Sequence, residues 1–156
     1  MRQELEQLGW VVGRNLQIDV RWAALDAEAT QQFAKELVAS QPDLILSNDT
    51  PTTAALLQQT RTIPIVFVTV SDPVGSGFVQ GFARPGGNAT GFSTTEGSLG
   101  SKWLELLREI APHVVRTVLS FNPTTGPYFE YYSKSLKSRV LRGGRFHCTC
   151  SRHVRI

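Results

Sequence analysis

The apolar and polar positions of the N-terminal residues alternate between helical spacing and the period-two spacing of strands. Apolar residues at helical spacing predict an amphipathic helix that ends near Gly9 or Gly13. The same spacing predicts a second helix from an N-cap at Asp26 to the residues before Pro42. Residues 16–22 alternate with period two, which predicts a strand with one buried face.

The next segments continue the alternation of helices and strands. Residues 43–47 and 63–68 are short apolar runs between turn signals, as expected of strands in a parallel sheet. Thr50, followed by Pro51, is the predicted N-cap of the helix between them. The remaining predicted elements are a short helix at 75–82, a strand at 89–93, a helix near 98–111, a strand at 116–121 and a helix at 127–136. This order predicts an α/β fold, a parallel sheet flanked by helices.

Polar residues follow two of the predicted strands. Residues 47–53 and 69–73 are rich in Ser, Thr, Asn and Asp. In open parallel sheets, ligands bind at the carboxyl ends of the strands, where hydroxyls and backbone amides suit a carboxylate or another polar group. The same residue types also cap helices and form turns, so a binding role and a purely structural role both stay open.

Charge is unevenly distributed along the chain. Residues 1–136 hold ten Lys or Arg and all thirteen acidic residues, whereas residues 137–156 hold six Lys or Arg and no acid. Because the body lacks a basic stripe that would follow phosphates, no nucleic-acid partner is predicted. No apolar run approaches the roughly 20 residues that span a bilayer, and the polar N-terminal residues do not form a signal peptide. The chain as written is therefore expected to stay in the cytoplasm.

The motifs of catalysis and cofactor binding do not occur. The glycines at 75–81 lack dinucleotide-binding spacing, and no nucleophile motif occurs, so neither a cofactor nor catalysis is predicted. Cys148 and Cys150 have a spacing that is not typical of zinc sites, so no metal is predicted either. The absence of these motifs favours a binding protein without catalytic activity. The alternative function is that of a small α/β enzyme that uses Asp49 or Asp72 as a general base.

Four segments together resemble a known family. They are LEQLGWVVGRN at 5–15, PDLILS at 42–47, IPIVFVTVSDPVGSG at 63–77 and ARPGGNATGF at 83–92. Over about residues 2–138 the chain resembles the bacterial ABC transporter substrate-binding proteins with the type I periplasmic-binding-protein fold.

The resemblance implies a two-lobed periplasmic protein without catalytic activity. Such a protein closes on a small-molecule solute, for example an amino acid or a small carboxylate, and presents it to an ABC permease in the membrane. A metabolite-sensing regulator lobe shares this fold but needs a DNA-binding helix pair upstream of it. The ligand-binding residues that the resemblance implies are Ser47, Asn48, Thr50, Thr52, Val70, Ser71, Asp72, Ser93 and Thr94.

The resemblance also implies the domain boundaries. We expect a first lobe without its first strand at 1–94, a crossover helix and the beginning of a second lobe at 95–136, and a basic tail outside the family at 137–156. Intact members carry an export signal and a first strand ahead of the opening helix. Because the resemblance stops abruptly at Ser138, we expect residues 139–156 to be a frameshift product with no evolved role. Such a tail is expected to be loosely ordered or packed only opportunistically, and to bind no metal. The alternative is a basic tail that binds anionic lipid or nucleic acid.

Overall fold

Two parallel sheets and four helices make up most of the part of the chain that the structure describes. The structure is a computed structural model, and it describes residues 2–24, 26–96, 98–114, 116–120, 132, 135–136 and 147–151. The helices are α1 (Arg2–Gln7), α2 (Ala27–Ala39), α3 (Thr50–Gln59) and α4 (Leu99–Ile110). The strands are β1 (Ile45–Asn48), β2 (Ile65–Ser71), β3 (Ala89–Thr95), β4 (Arg116–Ser120) and β5 (His147–Ser151). None of the described helices is long and apolar enough to cross a lipid bilayer.

The first sheet has the strand order β1-β2-β3, and all its strands are parallel. Ile45 pairs with Ile65, and Ile65 pairs with Ala89, so the three strands begin at the same edge of the sheet. α3 connects β1 to β2 and packs on both strands. The predicted α/β class with a parallel sheet and flanking helices is confirmed.

The hydrophobic core lies on one face of this sheet. Apolar side chains of the three strands pack there against α2, α3 and the loop after β2. The buried members are Ala34, Ile45, Ala55, Leu56, Leu57, Ile63, Ile65, Phe67, Val70, Val79 and Ala89. The opposite face leaves Leu46 and Phe92 48% and 73% exposed. Burial on one face explains why alternate positions of β1 are buried and exposed.

Side-chain caps define where α2 and α3 begin. The predicted N-cap Asp26 is confirmed, since its carboxylate accepts two backbone N–H groups of the first turn of α2. The predicted N-cap Thr50 is wrong. Asp49 caps α3, its Oδ1 accepting the N–H of Thr52 at 2.8 Å. The Thr50 hydroxyl instead accepts the backbone N–H of Ser71 on the neighbouring strand.

The strand predicted at 16–22 is wrong. Among the described residues this segment makes only one isolated bridge, between Val12 and Leu16. Val20 and Trp22 are 50% and 84% exposed. An alternating sequence forms a strand only when a neighbouring strand satisfies its backbone hydrogen bonds, and no described strand pairs with this segment.

The short helix predicted at 75–82 is also wrong. The chain forms turns over 73–77, closed by bonds from the Gly75 N–H to the Asp72 Oδ1 and from the Phe78 N–H to the Pro73 carbonyl. Gly77 adopts a φ of 73°. This left-handed conformation stops a helix, and glycine adopts it at little cost.

The second sheet consists of β4 and β5 in parallel. β4 confirms the strand predicted at 116–121, except that position 121 lies outside the described residues. β5 was not predicted. It lies in the segment 139–156, which is expected to be loosely ordered or packed only opportunistically, and its five residues pair with β4. Of the helix predicted at 127–136, the structure describes positions 132, 135 and 136, all helical.

Candidate functional site

Polar residues from three strands and one helix lie at the carboxyl edge of the first sheet. β1 ends at Asn48, β2 at Ser71 and β3 at Thr95, and the bridge between Ser71 and Thr95 keeps the last two ends side by side. The N-terminus of α3 follows β1 directly. This edge, together with the first turn of α3, is called the candidate site below.

Two buried hydroxyls join β1 to the first turn of α3 inside the fold, next to the candidate site. Ser47 and Thr53 are 1% and 0% exposed, and their side-chain oxygens lie 2.7 Å apart. The Thr53 hydroxyl also donates to the Asp49 carbonyl at 2.7 Å. Because Thr53 has only one hydroxyl proton, Ser47 must be the donor in the bond between the two side chains. Ser47 was predicted as a ligand residue, but its hydroxyl lies inside the fold and bonds Thr53.

Thr50 joins α3 to β2 at the centre of the candidate site. Its buried hydroxyl accepts the backbone N–H of Ser71 at 3.1 Å. The Ser71 side chain itself is only half-buried, and no described residue makes a hydrogen bond to its hydroxyl. Thr50 therefore fixes the position of the Ser71 backbone, while the Ser71 hydroxyl is available to a ligand.

The end of β2 is irregular. The pairing of β2 with β3 shifts between Phe67 and Val70, and Thr69 lies between them with a φ of 59°. Val70 is fully buried in the core, so the side chain of this predicted ligand residue does not reach the candidate site. After β2, the Asp72 carboxylate accepts the Gly75 N–H at 3.0 Å and closes the turn.

The end of β3 carries three consecutive hydroxyl side chains. The single hydroxyl proton of Ser93 is shared between the carbonyls of Val70 and Thr95, at 3.1 and 2.9 Å, which holds Ser93 against β2. Thr94 is exposed, with its hydroxyl 3.5 Å from the Val70 carbonyl. Thr95 shares a hydrogen bond with the hydroxyl of Tyr132, which connects this edge to the helical residues after β4.

The structure divides the nine predicted site residues into two groups. Five have exposed or half-buried side chains at the edge of the sheet: Asn48, Thr52, Ser71, Asp72 and Thr94. Ser47, Thr50 and Val70 are buried, and Ser93 is half-buried with its hydroxyl bonded to backbone carbonyls. Strand-end topology thus brings all nine to one edge, and only part of them forms its surface.

Two residues at this edge were not predicted as site residues. Thr69 is exposed and donates its hydroxyl to the Asn48 Oδ1 at 2.7 Å. Tyr132 is buried, and its ring stacks on Trp103 of α4 with a centroid separation of 5.2 Å. Thr69 lies in the polar run 69–73, so its residue type was a signal. Nothing in the sequence near Tyr132 indicates contact with Thr95.

In the parts of the chain that the structure describes, no three His, Cys, Asp or Glu side chains are grouped as metal ligands would be. The two acidic residues of the candidate site both accept backbone N–H groups, Asp49 from Thr52 and Asp72 from Gly75. The site is therefore rich in hydroxyls, amides and capping carboxylates.

The sheet, its helices and the polar edge define the class of protein, an α/β domain of the periplasmic-binding-protein type. A profile of the ABC transporter substrate binding proteins matches residues 1–132. The chain belongs to this family, whose members bind solutes and normally work in the periplasm or outside the cell.

Individual relatives agree with this assignment. The chain is 35% identical over 118 residues to a tyrosine-binding protein of Clostridioides difficile, an alignment that covers 76% of this chain and 34% of that protein. A conserved domain protein of Vibrio cholerae superposes with a TM-score of 0.78 at 32% identity, over 97% of this chain and 50% of the other. A Streptococcus pneumonia ABC domain in complex with L-Trp gives a TM-score of 0.76 at 21% identity, over 96% and 50% of the two chains, which shows the shared fold. The chain thus spans about a third of the curated relative and half of each solved structure.

Proposed function

We propose that this chain contributes one wall of the solute site of an ABC importer's substrate-binding protein. The observation that carries the proposal is the convergence of exposed donors and acceptors from three strand ends at the first turn of α3. The solute is an amino acid or a small carboxylate. Tyrosine and tryptophan are the first candidates, because relatives are a tyrosine-binding protein and an L-Trp complex.

The roles of the site residues follow from their exposure. Asn48, Thr52, Ser71 and Thr94 contact the solute, since their side chains lie at the surface of the edge. Beneath them, the buried residues Ser47, Thr50 and Val70, together with Ser93, hold the strand ends in place. In a whole protein of this family, the captured solute is passed to an ABC permease in the membrane, and capture takes place in the periplasm.

An enzyme that uses Asp49 or Asp72 as a general base is the competing proposal. Each carboxylate already accepts a backbone N–H, which accounts for both side chains as caps of α3 and of the turn after β2. These bonds favour solute binding over proton transfer. Chemical analysis of the solute after incubation separates the two proposals, because binding leaves the solute unchanged.

The test is thermal unfolding of the chain with a panel of amino acids and small carboxylates, followed by calorimetric titration of every compound that stabilises it. Ser71→Ala is expected to weaken binding by about 1–3 kcal/mol, roughly 5- to 150-fold in Kd, because its hydroxyl is a partner of the solute. Thr90→Ala is the matched control. It removes an exposed hydroxyl on β3, near the opposite edge of the sheet, and should leave Kd unchanged. A panel without a stabilising compound, or equal losses in both variants, would contradict the proposal.

A further inference from the structure

The bulge in β2 turns the Thr69 side chain to the exposed side of the sheet, whereas regular alternation of a strand would place it in the core. In a regular strand, Thr69 would share the core face with Ile65 and Phe67, and Val70 would lie on the other face. The structure has the reverse, with Val70 fully buried and Thr69 exposed. One extra residue in the strand therefore keeps Phe67 and Val70 in the core and turns Thr69 outward.

This arrangement strains the backbone. Thr69 has a φ of 59°, in the left-handed region that a β-branched residue rarely adopts. Such strain persists only where the surrounding structure imposes it, and it is concentrated at binding and catalytic sites. Glycine would adopt the same conformation without a clash. The presence of threonine indicates that its side chain has a use.

That use is visible in the contact across β1 and β2. The Thr69 hydroxyl donates to the Asn48 Oδ1 at 2.7 Å, beside the bridge between Asn48 and Val68. No other hydrogen bond to the Asn48 side chain is found among the described residues. Oδ1 accepts from Thr69, and the two amide N–H donors of Asn48 have no acceptor among the described residues.

We propose that Thr69 is a positioning residue of the solute site, which orients the Asn48 amide so that its N–H groups bind an acceptor on the solute, such as a carboxylate. This inference rests on the proposed function and adds a residue to it. Thr69 acts through Asn48, and the strained bulge is the device that brings the hydroxyl within reach.

The strain is tested by the thermal midpoints of Thr69→Gly and Thr69→Ala in the full chain without solute. Both variants lack the hydroxyl, and only the alanine variant has a Cβ that disfavours the left-handed conformation. The thermal midpoint of Thr69→Gly should therefore lie roughly 2–4 °C above that of Thr69→Ala. At Thr90, an exposed position on β3, the order should be reversed, because glycine weakens a strand with ordinary backbone geometry. An alanine variant at Thr69 as stable as the glycine variant, or more so, would overturn the inference.

The positioning role is tested by titration with L-tyrosine and L-tryptophan. Thr69→Ala should raise Kd by about 3- to 10-fold, and Thr69→Ser, which keeps the hydroxyl, should stay within about twofold of the unsubstituted chain. Asn48→Asp keeps an oxygen for Thr69 but removes the N–H donors, so it should weaken binding at least as much as Thr69→Ala. Unchanged Kd in Thr69→Ala, or equal losses in the Ser and Ala variants, would overturn the inference alone. If the unsubstituted chain binds neither amino acid nor any other compound of the panel, the proposed function fails, and the positioning role fails with it. The thermal midpoints of the Thr69 variants still decide in that case whether Thr69 is strained.

Discussion

The buried pair of Ser47 and Thr53 predicts an unequal effect of two similar substitutions. Thr53 donates to the Asp49 carbonyl and accepts from Ser47. Thr53→Val keeps the shape of the side chain but leaves the Ser47 hydroxyl proton without its acceptor, in a place with no access to water. Ser47→Ala removes that donor and leaves Thr53 still bonded to Asp49.

The magnitudes follow from these bonds. Ser47→Ala loses one hydrogen bond, about 1 kcal/mol. Thr53→Val loses the bond to Asp49 and in addition strands a buried donor, which together cost about 2–4 kcal/mol. The Asp49 carbonyl keeps the backbone N–H of Thr53 at 3.3 Å, so it adds little to the cost. In the double variant no donor is stranded, so its cost should fall about 1–2 kcal/mol below the sum of the single variants.

The assay is urea unfolding at 25 °C, followed by circular dichroism, for the unsubstituted chain, both single variants and the double variant. Thr62→Val, at an exposed position, is the control and should change the free energy of unfolding by less than about 0.5 kcal/mol. The reasoning is refuted if Ser47→Ala costs as much as Thr53→Val, or if the two costs add within about 0.5 kcal/mol.

Two further predictions concern the fold. Gly91→Ala should lower the free energy of unfolding by about 3–5 kcal/mol in the same urea assay, because a Cβ at Gly91 would overlap the backbone carbonyl oxygen of Phe67 in the paired strand. The control is Gly87→Ala, where a Cβ meets nothing within 4 Å, and it should be nearly neutral. Equal costs of the two substitutions would contradict the argument. Asp26→Ala should cost about 1 kcal/mol through loss of the α2 cap, whereas Asp26→Asn should retain most of the stability, and a harmless alanine would show that the cap contributes nothing.

The elements that the sequence predicted correctly carry their signals locally. α2 has an N-cap at Asp26 and apolar residues at helical spacing, and β2 is an apolar run with its proline ahead of the strand. The strand predicted at 16–22 failed because a ladder depends on a neighbour that local pattern does not contain. The helix predicted at 75–82 failed because glycines allow turns to compete with a short helix.

The candidate site was predictable to the level of strand ends. Parallel topology places Asn48 and Ser71 at one edge, whatever their detailed contacts. Burial of Ser47 follows from regular alternation, which places it on the same face of β1 as Ile45. Burial of Val70 was not predictable, because it depends on the bulge in β2. Thr69 was missed for the same reason, since strict alternation would point its side chain into the core.

The bulge in β2 separates what the fold requires from what the site requires. If Thr69 were deleted, Phe67 and Val70 would return to alternate positions of a regular strand, both still facing the core. The strand would lose its left-handed residue and the hydroxyl that reaches Asn48. In a comparison of natural sequences, a gap of one residue at position 69 would therefore mark chains that keep the sheet but orient Asn48 by other means. The length of β2 would then indicate how the candidate site is built, and not how the core is packed.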